Sequence, residues 1–307
     1  RKKMFRAQTY INRLTDDNIA IFLFHGVVQE QSSGLRNYNK KHILESQFED
    51  LLAGLVADGH PVSMNDVVEF CEGELLPPKS FAITFDDGFL NNFEVAAPIL
   101  ERYEIPATFY VTSDFVDRNR MSWADRIDQA FDSVLEISIY VPWRNKRTHA
   151  KTKDEKISLL EEIREVVKGD SNYDGDELAS LIQTQLGFDE IWNGNGVFDK
   201  KMTWNQLRIL DNKSLFNVGG HSHTHPVLSH LDENQLRYEI STCINMIGQE
   251  LDRSIEHFSY PEGMSSSYSS GVINELKKFN IICSPSAEDG VNSVSSDPFK
   301  LKRIFVV

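Results

Sequence analysis

Short apolar runs and amphipathic stretches alternate along most of the chain. Ile19-Ala20-Ile21-Phe22-Leu23-Phe24 is unbroken apolar sequence and predicts a strand buried on both faces, as in a parallel sheet. Phe81-Ala82-Ile83-Thr84-Phe85 and residues 107–112 read the same way. Between these runs, Phe48, Leu51, Leu52 and Leu55 recur at helical spacing in a segment that ends near Gly59. Phe93, Ala97, Leu100 and Tyr103 do so over residues 91–103, and Ser63 is placed to cap a short helix through Val67, Val68 and Phe70. A β-α-β-α-β order predicts a parallel sheet covered by helices. Residues 1–18 read as a polar lead-in. Residues 29–42, with Arg36, Lys40 and Lys41, read as a solvated loop or the lining of a groove.

The alternation lapses over about residues 117–201. That stretch holds a strand pattern at 137–141, an amphipathic helix over 154–168 and a Gly/Asn-rich segment at 193–196. The helix turns Ile157, Leu160, Ile163 and Val167 inward and Glu161, Glu162 and Glu165 to solvent. It reads as a largely helical insertion, a subdomain or lid, inside one domain that spans residues 1–307. Ser122 and Thr203 each open a capping-box-like start. The alternation then resumes. A helix is expected at 204–212, a strand at 215–218 and a long helix at 232–251, with Leu236, Ile240, Cys243, Ile244, Ile247 and Leu251 inward. A strand at 255–260, a helix at 271–279 and strands at 281–283 and 303–307 complete the pattern.

Composition narrows the function. Net charge is −14, from 32 basic and 46 acidic residues, which disfavours nucleic acid and anionic membrane surfaces as partners. No stretch approaches the length of a transmembrane helix. Cys71, Cys243 and Cys283 show neither metal-type spacing nor a disulfide framework, and read as small buried hydrophobes in a reduced compartment. The basic start Arg1-Lys2-Lys3-Met4-Phe5-Arg6 is followed by no apolar signal core. A cytoplasmic location is the expectation, with export left open because the sequence does not start with Met.

Chemistry concentrates at strand ends. Asp86-Asp87-Gly88 follows a buried strand, where two adjacent carboxylates repel each other and lose solvation. Gly219-Gly220-His221-Ser222-His223-Thr224-His225-Pro226 follows another strand. His221 and His225 are four apart, so a single turn puts them on one side. Two imidazoles and one carboxylate leave an open coordination position, the catalytic pattern for a zinc-type ion, and the second carboxylate is then free to act as a base. His25-Gly26 closes the first strand, and its imidazole is either part of that site or a half-buried histidine bonded to the backbone.

Thr84-Phe85-Asp86-Asp87-Gly88 together with His221-Ser222-x-x-His225-Pro226 resembles the polysaccharide deacetylases of the NodB-homology type, carbohydrate esterase family 4. The likeness extends to Ile105-Pro106-Ala107-Thr108-Phe109-Tyr110-Val111 and to Phe258-Ser259-Tyr260-Pro261-Glu262-Gly263, over roughly residues 19–116 and 203–307, with the insertion unmatched. The resemblance implies a distorted TIM-like (β/α) barrel of about seven strands with its site at the C-terminal strand ends. It implies Asp86 as general base and Asp87, His221 and His225 as metal ligands. Ser222 would orient the site, while His223 points elsewhere. Tyr260, Pro261 and Glu262 would wall the groove, with the Glu262 N–H as oxyanion donor. The implied cofactor is a divalent ion, zinc first, with cobalt, nickel, iron or manganese as alternatives, and the implied partner is an N-acetylated glycan.

The chain departs from the family pattern in three places. Ser259 stands where many members carry an Arg that tunes the base, and Glu262 replaces an aromatic. The late Leu-x-His that supplies a general acid is absent. This combination resembles the branch acting on poly-N-acetylglucosamine, in which an N-terminal strand-end His serves as the acid. Phe24-His25-Gly26-Val27 fits that slot and makes His25 the candidate acid. The resulting expectation is hydrolytic N-deacetylation of an amino sugar in a poly- or oligosaccharide or a lipid-linked sugar. The alternatives are an O-acetyl esterase or non-sugar amidohydrolase on the same fold, and a saccharide-binding protein on a decayed catalytic scaffold.

Overall fold

The structure is a computed structural model, and it describes residues 5–307; residues 1–4 of the basic start lie outside the described residues. In chain order the strands are β1 (Ala20–Phe24), β2 (Gly26–Val28), β3 (His42–Leu44), β4 (His60–Pro61) and β5 (Ser80–Phe85), followed by β6 (Ala107–Val111), β7 (Ile137–Ile139), β8 (Thr148–Ala150), β9 (Phe216–Gly220) and β10 (Ile304–Phe305). The helices are α1 (Ala7–Ile11), α2 (Glu45–Asp58), α3 (Met64–Cys71), α4 (Ala97–Arg102), α5 (Ser113–Arg118) and α6 (Trp123–Asp132), followed by α7 (Lys153–Gly169), α8 (Gly175–Gln185), α9 (Trp204–Asp211), α10 (Glu233–Leu251) and α11 (Ser270–Lys278).

The sheet runs β10-β1-β5-β6-β9, all parallel, with β4 also against β5. β1, β5 and β6 are buried at every position, as their largely apolar sequence implies. Beyond β9, isolated parallel bridges Gly220–Phe258, His257–Cys283 and Pro285–Leu301 carry the same order round to the segment that leads into β10. Helices α2, α4, α9, α10 and α11 bury their apolar faces in one cluster with β1, β5 and β6. This is the α/β architecture with a parallel sheet that the sequence implied.

The structure revises several local expectations. Residues 255–260 and 281–283 make only isolated bridges, at His257, Phe258 and Cys283, rather than full strands. The expected helix over 91–103 opens with a π-helical turn, Asn92–Ala96, before α4. The lead-in is not merely polar: α1 buries Ile11, and Leu14 joins the same core. Ile157 is only partly buried in α7, and the helix buries Lys156 and Leu159 as well as Leu160, Ile163 and Val167.

The stretch 117–201 has its own hydrophobic core. Ile127 and Phe131 of α6, Leu160 and Ile163 of α7, and Leu178 and Ile182 of α8 pack against the β7–β8 hairpin. Leu35 from the loop after β2 joins them. That loop is pinned rather than solvated. The Leu35 N–H donates to Asp132, Arg36 pairs with Asp199, and Lys153 Nζ donates to the Gly34 carbonyl at 2.6 Å. The insertion and the loop therefore form one wall, with the barrel-like sheet as the other.

Candidate active site

Strand register gathers the candidate residues. Phe24 pairs with Phe85, and the Asp86 N–H donates to the Phe24 carbonyl at 3.0 Å, so His25 and Asp86 leave adjacent strands at one level. Val111 pairs with Gly220, and the His221 N–H donates to the Val111 carbonyl at 2.9 Å. The Ser259 N–H donates to the Gly220 carbonyl at 2.9 Å. Each functional segment thus begins where a parallel strand stops, the place at which such sheets assemble sites.

Asp87, His221 and His225 converge into a group able to hold a metal ion. Asp87 Oδ1 lies 3.5 Å from His221 Nε2 and 3.4 Å from His225 Nε2. That oxygen is buried and takes no hydrogen bond from any described residue. His221 Nδ1 meets the Ser259 carbonyl at 2.9 Å, which turns Nε2 towards the carboxylate. A buried, unpartnered anionic oxygen facing two imidazole nitrogens fits a divalent cation of the zinc type.

Strain concentrates here. Asp87, Ser222, His225 and Glu262 all adopt left-handed backbone conformations, with φ between 62° and 76°. Each costs on the order of 1–3 kcal/mol and persists only where its surroundings impose it. Gly88, at φ 83°, continues the turn after Asp87, and a Cβ there would lie 3.1 Å from Val111. The histidine loop is imposed from below. Buried Glu239 of α10 accepts from the N–H groups of His223 and Thr224 at 2.9 and 2.8 Å, and from Thr224 Oγ1 at 2.6 Å. Ser222 Oγ accepts from the His225 N–H at 3.0 Å. His223 turns away, its Nδ1 meeting Ser113 Oγ at 2.8 Å.

Asp86 stands apart from this donor set. His221 Nε2 is 3.9 Å from it. Two parallel hydrogen bonds from Arg303 hold it, Nη1 to Oδ1 at 2.9 Å and Nη2 to Oδ2 at 2.8 Å, and Ser259 Oγ donates to Oδ1 at 3.2 Å. Burial alone would raise its pKa, but Arg303 and His221 outweigh burial and bring it below the ordinary carboxylate value. Asp87 is likewise held well down, burial being outweighed by Lys41 and the histidines. His25 is half-buried against the Phe305 ring, and its Nδ1 has no partner among the described residues. Burial, partly offset by Asp87, pushes its pKa down to about 4.

The cavity above these groups has a volume of about 400 Å³. His25, Asp86, Asp87, His221, His225, Tyr260, Glu262, Met264 and Phe305 line it from the sheet side, and Lys41, Trp123, Asp125, Arg164 and Lys168 from the insertion side. Tyr260 is buried and stacks on Tyr268 with ring centroids 4.1 Å apart, and Pro261 is buried beside it. The Glu262 carboxylate pairs across the cavity with Lys168 at 2.5 Å. No described residue accepts a hydrogen bond from the Glu262 N–H.

Sequence reasoning missed Arg303, Glu239 and the placement of Lys41. Arg303 is one charge in a short C-terminal segment with no motif around it. Glu239 sits at a helix position that periodicity alone assigns to neither face. Lys41 lies in a loop read as solvated or groove-lining; it lines the cavity, and its Nζ is 2.8 Å from Asp87 Oδ2, a contact that nothing in its sequence signals.

The model of the family described as polysaccharide deacetylase matches residues 74–169 and 185–281, more than half of the chain. The chain belongs to that family. Membership makes it a hydrolase of the deacetylase kind, with a carbohydrate substrate. The match runs into the insertion, which the motif likeness had left out. It does not reach His25, Lys41 or Arg303. No curated protein matches the chain in sequence. Among solved structures, the fold is similar to the deacetylase PplD of Streptococcus pyogenes, solved with acetate, at TM-score 0.61 and 15% identity over 95% of this chain and 94% of that one. IcaB from Ammonifex degensii gives TM-score 0.60 and 15% identity over 96% and 94% of the two chains. The deacetylase domain of BpsB from Bordetella bronchiseptica gives 0.57 and 15% over 95% and 97%. No described helix is long and apolar enough to cross a membrane.

Proposed function

We propose that this family member catalyses metal-dependent N-deacetylation of an N-acetylated amino sugar within an oligo- or polysaccharide or a lipid-linked sugar. The observation that carries the reading is the division of labour between neighbouring carboxylates. Asp87 Oδ1 is unpartnered and faces two imidazoles, while Asp86 is tied to Arg303 and excluded from that group. One carboxylate is arranged to bind a cation, the other to stay ionised and handle a proton.

Asp87, His221 and His225 would hold the ion, zinc by the chemistry of the donor set. When bound, a divalent ion supplies Lewis acidity towards the acetyl carbonyl and makes a nearby water a stronger acid. The chain's own residues do the rest. Asp86, fixed in orientation by Arg303 and Ser259, accepts the proton of the attacking water. The free Glu262 N–H faces the developing oxyanion as a donor. His25 delivers a proton to the departing amine. Because burial holds His25 neutral at neutral pH, that proton reaches it during turnover, passed on from protonated Asp86, which returns to its ionised form. Trp123, Met264 and Phe305 give the cavity apolar surface for sugar rings. The similar solved structure that carries acetate, a product of amide and ester deacetylation alike, supports the deacetylation reading without separating amide from ester.

The deciding measurement is acetate release from matched N-acetylated and O-acetylated sugars by zinc-loaded protein, beside Asp86→Asn. Release from the amides, lost in Asp86→Asn with metal content unchanged, is the expected result. Release from esters alone would overturn the amide assignment, and full activity in Asp86→Asn would remove Asp86 as base.

A further inference from the structure

Asp87 offers its two oxygens to different partners. Oδ1 is unpartnered and faces the imidazoles, whereas Oδ2 lies 2.8 Å from Lys41 Nζ. The lysine is enclosed rather than resting at the surface. Its side chain is 19% exposed, its Nζ stands 4.8 Å from the Phe89 ring centroid, and Asp125 Oδ2 lies 3.7 Å away. Asp125 is buried in the first helix of the insertion and accepts from Ser122 Oγ at 2.7 Å. Alternating charges thus connect Asp125, Lys41 and Asp87, from the insertion to the candidate ligand.

We infer that Lys41 is a positioning residue that makes Asp87 a one-oxygen ligand. The inference rests on the metal-centre reading above. A free carboxylate can grip a cation with either one oxygen or two, and the second oxygen fills a position that water or substrate needs. An ammonium held on Oδ2 leaves only Oδ1 for the centre. A carboxylate that shares its charge with a lysine also donates less to the ion, which weakens binding and leaves the ion more acidic. Lys41 therefore sacrifices affinity for an open, electrophilic centre. Through Asp125 it makes that arrangement depend on the insertion.

The test loads the full chain with cobalt(II), whose visible absorption reports coordination number, and compares wild type with Lys41→Met and Lys41→Arg. Lys41→Met is expected to bind cobalt about ten-fold more tightly or better, because a repelling charge is gone and both oxygens are free. Its absorption is expected to weaken as the coordination number rises, and Lys41→Arg to return both readings towards wild type. An unchanged spectrum in folded Lys41→Met overturns the inference whatever the affinity does. If the single variant fails to fold, Lys41→Met/Asp125→Asn, which leaves no charged carboxylate at position 125, is read in the same way. Should wild type bind no cobalt, the metal-centre reading falls and this inference with it. If wild type binds and the variant spectra coincide, only the role of Lys41 falls.

Discussion

Arg303 holds Asp86 through two parallel hydrogen bonds of 2.9 and 2.8 Å, although 217 residues separate them in sequence. Arg303 is fully buried, lies beside the Tyr110 ring, and spends its Nε on the Ser286 carbonyl at 2.6 Å. The cation missing at Ser259 is thus supplied from just before β10, and Ser259 keeps a smaller part, a hydroxyl on the same carboxylate. Only guanidinium matches both carboxylate oxygens at once. Arg303→Lys should keep the charge and lose the fork. The expected result is a turnover number about 10–100-fold lower with metal content unchanged, read by steady-state kinetics and metal analysis. Arg303→Met strands a buried carboxylate and should cost about 3–5 kcal/mol of stability in denaturant unfolding.

Glu239 is the second remote support. It spends both oxygens on the loop that carries His221 and His225. Without it, two N–H groups lose their acceptor and the left-handed turn at Ser222 loses its brace. Glu239→Ala should destabilise the fold by about 2–4 kcal/mol, by the worth of hydrogen bonds to a charged acceptor. Zinc affinity should fall with it in a chelator competition. Glu239→Gln keeps one acceptor oxygen and should lie between Glu239→Ala and wild type on both measures.

His257 offers a test by pH away from the candidate centre. It is buried, with Nε2 at 2.6 Å from Asn65 Oδ1. Burial, and then Arg253, lower its pKa from 6.5 to about 4. Between those values the unfolded chain binds a proton that the folded chain refuses, so stability rises with pH across this window and is lost as pH falls from 6.5 towards 4. The full shift corresponds to about 3 kcal/mol. Urea unfolding at pH 7 and at pH 4 should show the loss, and a neutral replacement, His257→Gln, should flatten it by about that amount. An equal slope in the variant would place the acid sensitivity elsewhere.

The sequence made the centre of the site legible because chemistry and backbone coincide there. Asp86-Asp87-Gly88 and the three-histidine run each follow an apolar strand, so spacing and periodicity pointed to the same place. The long helix α10 and the capped starts of α3, α6 and α9 were equally readable, since caps and 3.6-residue periodicity are local. Arg303 and Lys41 were not, because each becomes a neighbour of the aspartates only through tertiary packing, and a lone basic residue carries no local signature. Residues 255–260 and 281–283, expected as full strands, make only isolated bridges, because apolar sequence reports burial and not the length of pairing.

Lys168 and Glu262 join the two walls of the cavity. Lys168 lies in the last turn of α7 of the insertion, and Glu262 follows Tyr260 and Pro261 on the sheet side. Burial would raise the Glu262 carboxyl, but Lys168, then His225, bring it below its ordinary value, so the carboxylate is charged at neutral pH. Lys168 is 39% exposed, and the pair should therefore contribute little to stability, under about 1 kcal/mol. Its consequence is access. A bridge between the walls obstructs a long glycan more than a short one, because a long chain must run past it while a short one need only enter the cavity. Lys168→Ala should leave the melting temperature within a few degrees of wild type. It should also raise kcat/KM on long N-acetylated oligosaccharides relative to short ones by about 3–10-fold, the scale of a contact worth roughly 1 kcal/mol. Acetate release across a length series checks this. A ratio that does not move would show that the glycan passes the pair without displacing it.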